Sequence, residues 1–297
     1  MAGSIPASAT SESPLARPAP AATARARGWR AWRRVSGSLG VGITGVLITV
    51  ALLANHLAPG DPFASVAAPL QSPSGLHLMG TDDLGRDLFI GVVHGARTSL
   101  VVAGAVTVLA LLLGVTVGAI SGWRGALVDD LLMRFTEFVQ VVPRFFVAVV
   151  VIALFGPGLD RVVLLLGLTS WPLIARVVRA EVLTLKTRDF IEAARSLGAP
   201  AARILWREIL PGVLPAAIVV ASVNAGGVIL LEAGLSFLGL GDPQVVSWGY
   251  LANNAQRFLR VAWWMVLFPG AAIALAVLGF NLAGDALNDA LNPQLDR

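Results

Sequence analysis

From residue 98 to residue 120 the chain runs for 23 residues without one charged side chain. That stretch alone rules out most folds. A helix rises about 1.5 Å per residue and the hydrocarbon core of a bilayer is about 30 Å thick, so ~20 apolar residues are enough to cross it. Five other runs approach that length, at about 39–57, 137–155, 162–178, 212–238 and 263–284. The sequence therefore predicts an all-α polytopic membrane protein with six transmembrane helices. Composition agrees: 56% of residues are hydrophobic, 13% are charged and the mean hydropathy is +0.76, whereas soluble domains carry roughly a quarter charged residues.

Charge sets the orientation. Arg25, Arg27, Arg30, Arg33 and Arg34 precede the first run, Arg124 follows the second, and residues 176–208 hold seven basic side chains against four acidic ones. Loop 58–97 instead carries Asp61, Asp82, Asp83 and Asp87 against Arg86 and Arg97. Basic flanks stay in the cytoplasm, so both termini and the 181–211 region are expected inside and loop 58–97 outside. The expected organisation is a basic cytoplasmic tail, 1–38, and a first span, 39–57. An extracytoplasmic loop, 58–97, leads to a five-span core, 98–290, and a short cytoplasmic end, 291–297. Residues 1–28, rich in Ala, Pro, Ser and Arg, lack an apolar period and read as disordered. A basic segment before an apolar one also describes a secretory signal. The tail is long for that and no small-residue cleavage site follows, which favours a retained span. The net charge of +4 flanks membrane runs and so does not argue for nucleic acid. With no cysteine in the chain, disulfides, thiolate chemistry and Cys-ligated metals are excluded.

The fourth run is the shortest. Fourteen uncharged residues separate Arg161 from Arg176, interrupted by Trp171-Pro172. Snorkelling arginines or local thinning can rescue such a span, and proline is tolerated where neighbouring helices cover the freed backbone. Gly104, Gly114, Gly118, Gly226 and Gly227 let helices approach closely.

The polar stretch 181–211 lies between two apolar runs. Its spacing predicts two short amphipathic helices broken at Gly198-Ala199-Pro200, with Gly198 as a left-handed cap and Pro200 in the next first turn. Phe190, Ile191, Ala194 and Leu197 recur at three- and four-residue intervals, off the line of Arg188, Glu192 and Arg195. Ile204, Leu205 and Ile209 alternate with Arg203, Arg207 and Glu208, and Pro211 closes the unit. An exposed apolar face with no partner inside its own segment is expected to dock on another protein.

Glu192-Ala193-Ala194, Gly198 and Ile209-Leu210-Pro211 resemble the EAA loop of ABC-importer permeases. The family usually places an aliphatic residue where this chain has Glu208. Gly80-Thr-Asp-Asp-Leu-Gly-Arg-Asp87 followed by Gly95-Ala-Arg-Thr-Ser-Leu100 is similar to the dipeptide/oligopeptide/nickel branch, "C" subunit type. So are Ser236-Phe-Leu-Gly-Leu-Gly241, Ser247-Trp-Gly249 and Asn281 to Pro293. The resemblance runs from about Gly80 to Pro293. It implies a type I importer transmembrane domain with a cytoplasmic coupling helix pair. Phe190, Ile191, Glu192, Ala193, Ala194, Leu197, Gly198, Ile209 and Pro211 would couple to the ATPase. The implied partners are a second homologous permease, two ATPase subunits that bind ATP and Mg, and an extracytoplasmic substrate-binding protein.

Bottom-up, the Asp-rich string 80–87 reads as a turn capping a short interfacial amphipathic segment built on Leu88, Ile90, Val92 and Val93. His77 and His94 have no ligand partner at helical spacing, and no metal site is expected. Charges within spans carry a default functional hypothesis. Glu232, with Ser236 one turn on, lies near the outer end of the fifth span. It either lines a substrate path or pairs within the bundle. Arg144, after Pro143, is expected to snorkel to the inner headgroups. No phosphate-binding glycine loop, Ser/His/Asp set or zinc spacing is present, so the chain is expected to be a transport subunit without its own ATPase site and without a cofactor. Peptides are the expected cargo, with nickel or another small solute as the alternative. An ATP-independent secondary transporter would show inverted repeats and more mid-span charges.

Overall fold

The computed structural model describes residues 21–291, with side chains from residue 35 onward. Expectations for residues 1–20 and 292–297 lie outside the described residues. The elements are α1 (Ala21–Leu52), α2 (Ala54–Leu57), α3 (Leu88–Arg124), α4 (Ala126–Val141), α5 (Arg144–Phe155), α6 (Leu159–Leu185), α7 (Asp189–Ser196), α8 (Ala201–Arg203), a π-turn (Ile204–Ile209), α9 (Leu210–Phe237), α10 (Trp248–Ala255) and α11 (Trp264–Leu291). There is no strand among the described residues, only two isolated bridges in the outer loop.

Five helical segments are long and apolar enough to cross a membrane: Val35–Leu52, α3, α6, Ala201–Phe237 and α11. The predicted third span is not one run. α4 and α5 meet at Val142-Pro143 with a bend of 76°. Val142 is extended there, at ψ 119°, as the residue before a proline must be. Six crossings are reached only by counting this bent pair as one broken span.

Three boundaries differ from the sequence expectation. The first helix begins at Ala21, inside the stretch 1–28 expected to be disordered, because Ala and Arg are strong helix formers and carry the helix back through the basic segment. The expected interfacial segment, 88–97, is the first part of the 37-residue α3. Pro211 does not close the coupling unit. Helix continues from Ala201 to Phe237, and the wide π-turn just before Pro211 and Pro215 absorbs the missing donors.

α3 and α6 form the centre of the bundle. Gly114, Gly118 and Gly122, one per turn of α3, face Ile174, Val178 and Val182 of α6. A Cβ on Gly114 would sit 2.6 Å from Ile174, on Gly118 2.8 Å from Val178, and on Gly122 2.9 Å from Val182. The backbones meet there because nothing lies between them, which is how helices pack where lipid removes the hydrophobic driving force. α9 and α10 complete the core around Trp248, and α1 lies along α11.

Loop 58–87 is a packed cap over the ends of α3, α10 and α11. Thr81 is fully buried, and its hydroxyl donates to Ala68 O and accepts from Gln71 N–H, both at 2.8 Å. Trp264 Nε1–H donates to Thr81 O at 3.1 Å. Arg86 stacks 5.1 Å from the Phe63 ring centroid and donates to the Tyr250 hydroxyl. The Asp-rich string is the turn and cap expected of it. Asp82 Oδ1 accepts from Leu84 N–H and Arg86 N–H, and Asp87 Oδ1 accepts from Phe89 N–H and Ile90 N–H at the start of α3. His77 does not stand alone: its Nδ1 is 2.8 Å from Asp87 Oδ2.

Candidate coupling surface and translocation path

The 186–211 elbow is built from inside outward. Arg188 is extended and starts α7, and Gly198, at φ +79°, reverses the chain after it. The turn is closed by Gly198 N–H to Arg195 O (2.9 Å) and Ala199 N–H to Ala194 O (3.1 Å), the paired closure that a left-handed glycine permits. Pro200, at ψ 145°, then opens α8; it precedes the first turn.

The apolar stripe divides. Ile191 has no exposed surface and packs in one cluster with Ile204, Ile209, Val178 and Val182; Ala194 lies partly buried against it. The segment thus supplies its own partner for that face, contrary to the sequence reading. Phe190 in α7 and Leu197, the residue that caps it, are 48% and 87% exposed. Ile191 is turned about 100° from Phe190. Glu192, Ala193, Gly198 and Pro211 are exposed. Trp206, 67% exposed, extends the outward apolar surface. The sequence reading did not single it out.

Three contacts tie the elbow and its supports together. The Arg195 guanidinium lies 5.4 Å from the Trp123 ring centroid. Lys186 Nζ donates to Gly122 O at 2.8 Å. Two turns deeper, Arg179 Nε and Nη2 grip both oxygens of Asp129 at 2.6 Å, and the Ser121 hydroxyl donates to the same carboxylate. α4 is thereby clamped to α6.

Glu232 and Ser236, offered by the sequence as lining of a substrate path, are enclosed within this chain. They are 3% and 6% exposed. Ser236 Oγ–H donates to Glu232 Oε1 at 2.8 Å, and the hydroxyls of Ser99 and Ser247 face the same carboxyl. Oε2 has no well-aligned partner. The covering element is α10, whose Gly249 backs onto Ala233 and Ser236 so closely that a Cβ would sit 2.6 Å from Ser236 Cβ. Glu232 is thus hydrogen-bonded within the bundle in this structure. Arg144 also departs from expectation. Its Nη1 reaches inward, 3.5 Å from Ser170 Oγ on α6, and does not extend toward headgroups.

Five long apolar helices, one bent helix pair and a helical elbow between α6 and α9 describe a multi-pass membrane protein. Residues 114–297 match the family described as "Binding-protein-dependent transport system inner membrane component". The chain belongs to that family. It is 40% identical over 227 residues to the dipeptide transport system permease protein DppC of Alkalihalophilus pseudofirmus, covering 76% of this chain and 75% of that protein. It is 36% identical over 277 residues to the di/tripeptide transport system permease protein DppC of Pseudomonas aeruginosa (90% and 91%). To the glutathione transport system permease protein GsiD of Pectobacterium atrosepticum it is 38% identical over 272 residues (90% and 90%).

Proposed function

We propose that this chain is one of two membrane-spanning subunits of an ATP-driven importer of short peptides, and that its elbow is the grip for a separate ATPase. The names of its relatives, which move dipeptides, tripeptides and glutathione, support peptides over nickel. ATP and Mg are held by two ATPase subunits, and an extracytoplasmic binding protein delivers the cargo. Both termini and the elbow lie in the cytoplasm, as the arginine distribution favours.

The observation that carries this reading is the divided stripe. An elbow locked from beneath by Ile191, Ile204 and Ile209 can transmit force, while Phe190, Leu197 and Trp206 are left bare. Glu192, Ala193, Ala194 and Gly198 shape that knob, and Pro211 joins it to α9. Single exposed apolar residues are ordinary, but Phe190 and Leu197, bare together on the short helix between two long apolar helices, with Trp206 bare in the π-turn that follows, mark a contact surface.

Leu197→Arg, expressed with the partner subunits, tests it. The variant is expected to insert normally and to lose co-purification of the ATPase, with ATP-driven uptake of a labelled dipeptide. Full co-purification with normal uptake would sink the docking role.

A further inference from the structure

Arg144 is the first residue of α5, immediately after the 76° break. Its contact with Ser170 fixes its depth. Ser170 is the twelfth of the 27 residues of α6, so the guanidinium sits about 17 Å from one end of that helix and about 22 Å from the other. That is mid-membrane. α5 has 12 residues and covers only about 18 Å, so the break itself falls at this level.

The guanidinium has five N–H donors and spends one, at the long distance of 3.5 Å, on Ser170. Among the described residues no carboxylate pairs with it; the ion pairs there join Arg179 to Asp129 and His77 to Asp87. A cation at this depth faces a bundle interior or a water-filled path, where it pairs with another charge or with backbone carbonyls and marks a substrate or ion pathway. The next residue, Phe145, lines an apolar cleft of about 450 Å³ between α5 and α9, with Gly227, Leu231, Gly234 and Phe237 among others. Gly227 and Gly234 lie seven apart on α9, and a Cβ on either would meet nothing within 4 Å. Their missing side chains leave room in the cleft wall.

We propose that Arg144 receives the free carboxylate of a peptide in transit while an apolar side chain of that peptide rests in the α5/α9 cleft. The inference rests on the importer reading and names the group within the membrane that reads the cargo. A carboxylate of the second permease, or a lipid phosphate, would satisfy the same cation, and the test separates these sources.

The chain contains no cysteine, so Arg144→Cys gives it a single thiol. In the full complex in proteoliposomes, with labelling read by mass on this chain, a membrane-impermeant quaternary trimethylammonioethyl thiosulfonate is expected to reach that thiol, and its smaller aminoethyl analogue is used for rescue. A saturating transported dipeptide is expected to slow the reaction by at least about fivefold. Uptake by Arg144→Cys is expected to fall by about tenfold or more; aminoethylation, which restores a cation, recovers at least a third of it, and an anionic sulfonatoethyl reagent recovers none. The Arg144 complex treated with the same reagents controls for thiols elsewhere. Labelling only by lipid-soluble reagents would place Arg144 against lipid and overturn the proposal. Recovery without protection by peptide would assign the anion to the partner permease, and equal recovery by both reagents would remove any role for charge. If Arg144→Cys does not assemble, Arg144→Lys must retain uptake that Arg144→Gln lacks; equal uptake by the two would overturn it. Failure of the unmodified complex to take up peptide would instead strike the importer reading itself.

Discussion

Asp82 shows what a buried carboxylate outside the spans contributes. It is 5% exposed and its pKa is raised above the ordinary 3.8, chiefly by burial and against the pull of the Arg86 and Leu84 N–H groups. The folded loop therefore binds the proton more tightly than the unfolded chain. Its stability rises as pH falls from the raised value toward 3.8, and above that window the buried charge is a constant cost. Asp82→Asn keeps an acceptor for the turn and removes the charge, so the loop should resist protease at pH 7 at least as well as wild type and lose this acid-side gain. Asp82→Ala leaves two N–H groups unmet and should cost about 1–3 kcal/mol. Limited proteolysis of the detergent-solubilised protein between pH 4 and 7 checks both; an Asn variant as weak as Ala would contradict the turn assignment. The sequence revealed Asp82 as a turn residue from its neighbours alone. It could not place Glu232 or Arg144, because their partners, Ser99, Ser247 and Ser170, come from other helices.

Helix existence was legible because apolar run length is a local property, and helix breaks were legible only where a proline or glycine marked them. Gly198 did so; Pro143 was visible, but a proline marks a break without fixing its angle, which here is 76°. Small residues were legible as a class, but not which of them touch another helix. Gly104 and Gly118 look alike in sequence. A Cβ at Gly104 meets nothing within 4 Å, and one at Gly118 collides with Ala175 O and with Val178. Gly118→Leu is expected to split α3 from α6 and lower thermal stability in detergent by well over 2 kcal/mol. Gly104→Leu should stay within about 0.5 kcal/mol of wild type. Equal effects at both positions, measured by tryptophan-fluorescence melting, would argue against this packing.

At the scale of the whole molecule, the question is how a push on α7 reaches the broken span. The bare knob of Phe190 and Leu197 stands on a unit whose links run from Arg195 to Trp123, from Lys186 to Gly122 O, and from Arg179 through Asp129 to Ser121 and α4. These contacts join α7, the end of α3, α6 and α4 into one inner block, and α4 leads directly to the bend before Arg144. Motion of the elbow relative to α3 would strain the Arg195–Trp123 contact first, since it is the link made by α7 itself. Trp123→Ala and Arg195→Ala each leave the docking face intact, so ATPase co-purification is expected to persist. Peptide moved per ATP hydrolysed should fall about three- to tenfold in each, and the double variant should be no worse than the poorer single, since both remove one contact. That ratio is read directly by measuring uptake and phosphate release in the same proteoliposomes. If the two losses multiply, the residues act independently and force reaches the spans by another route, through the π-turn and α9.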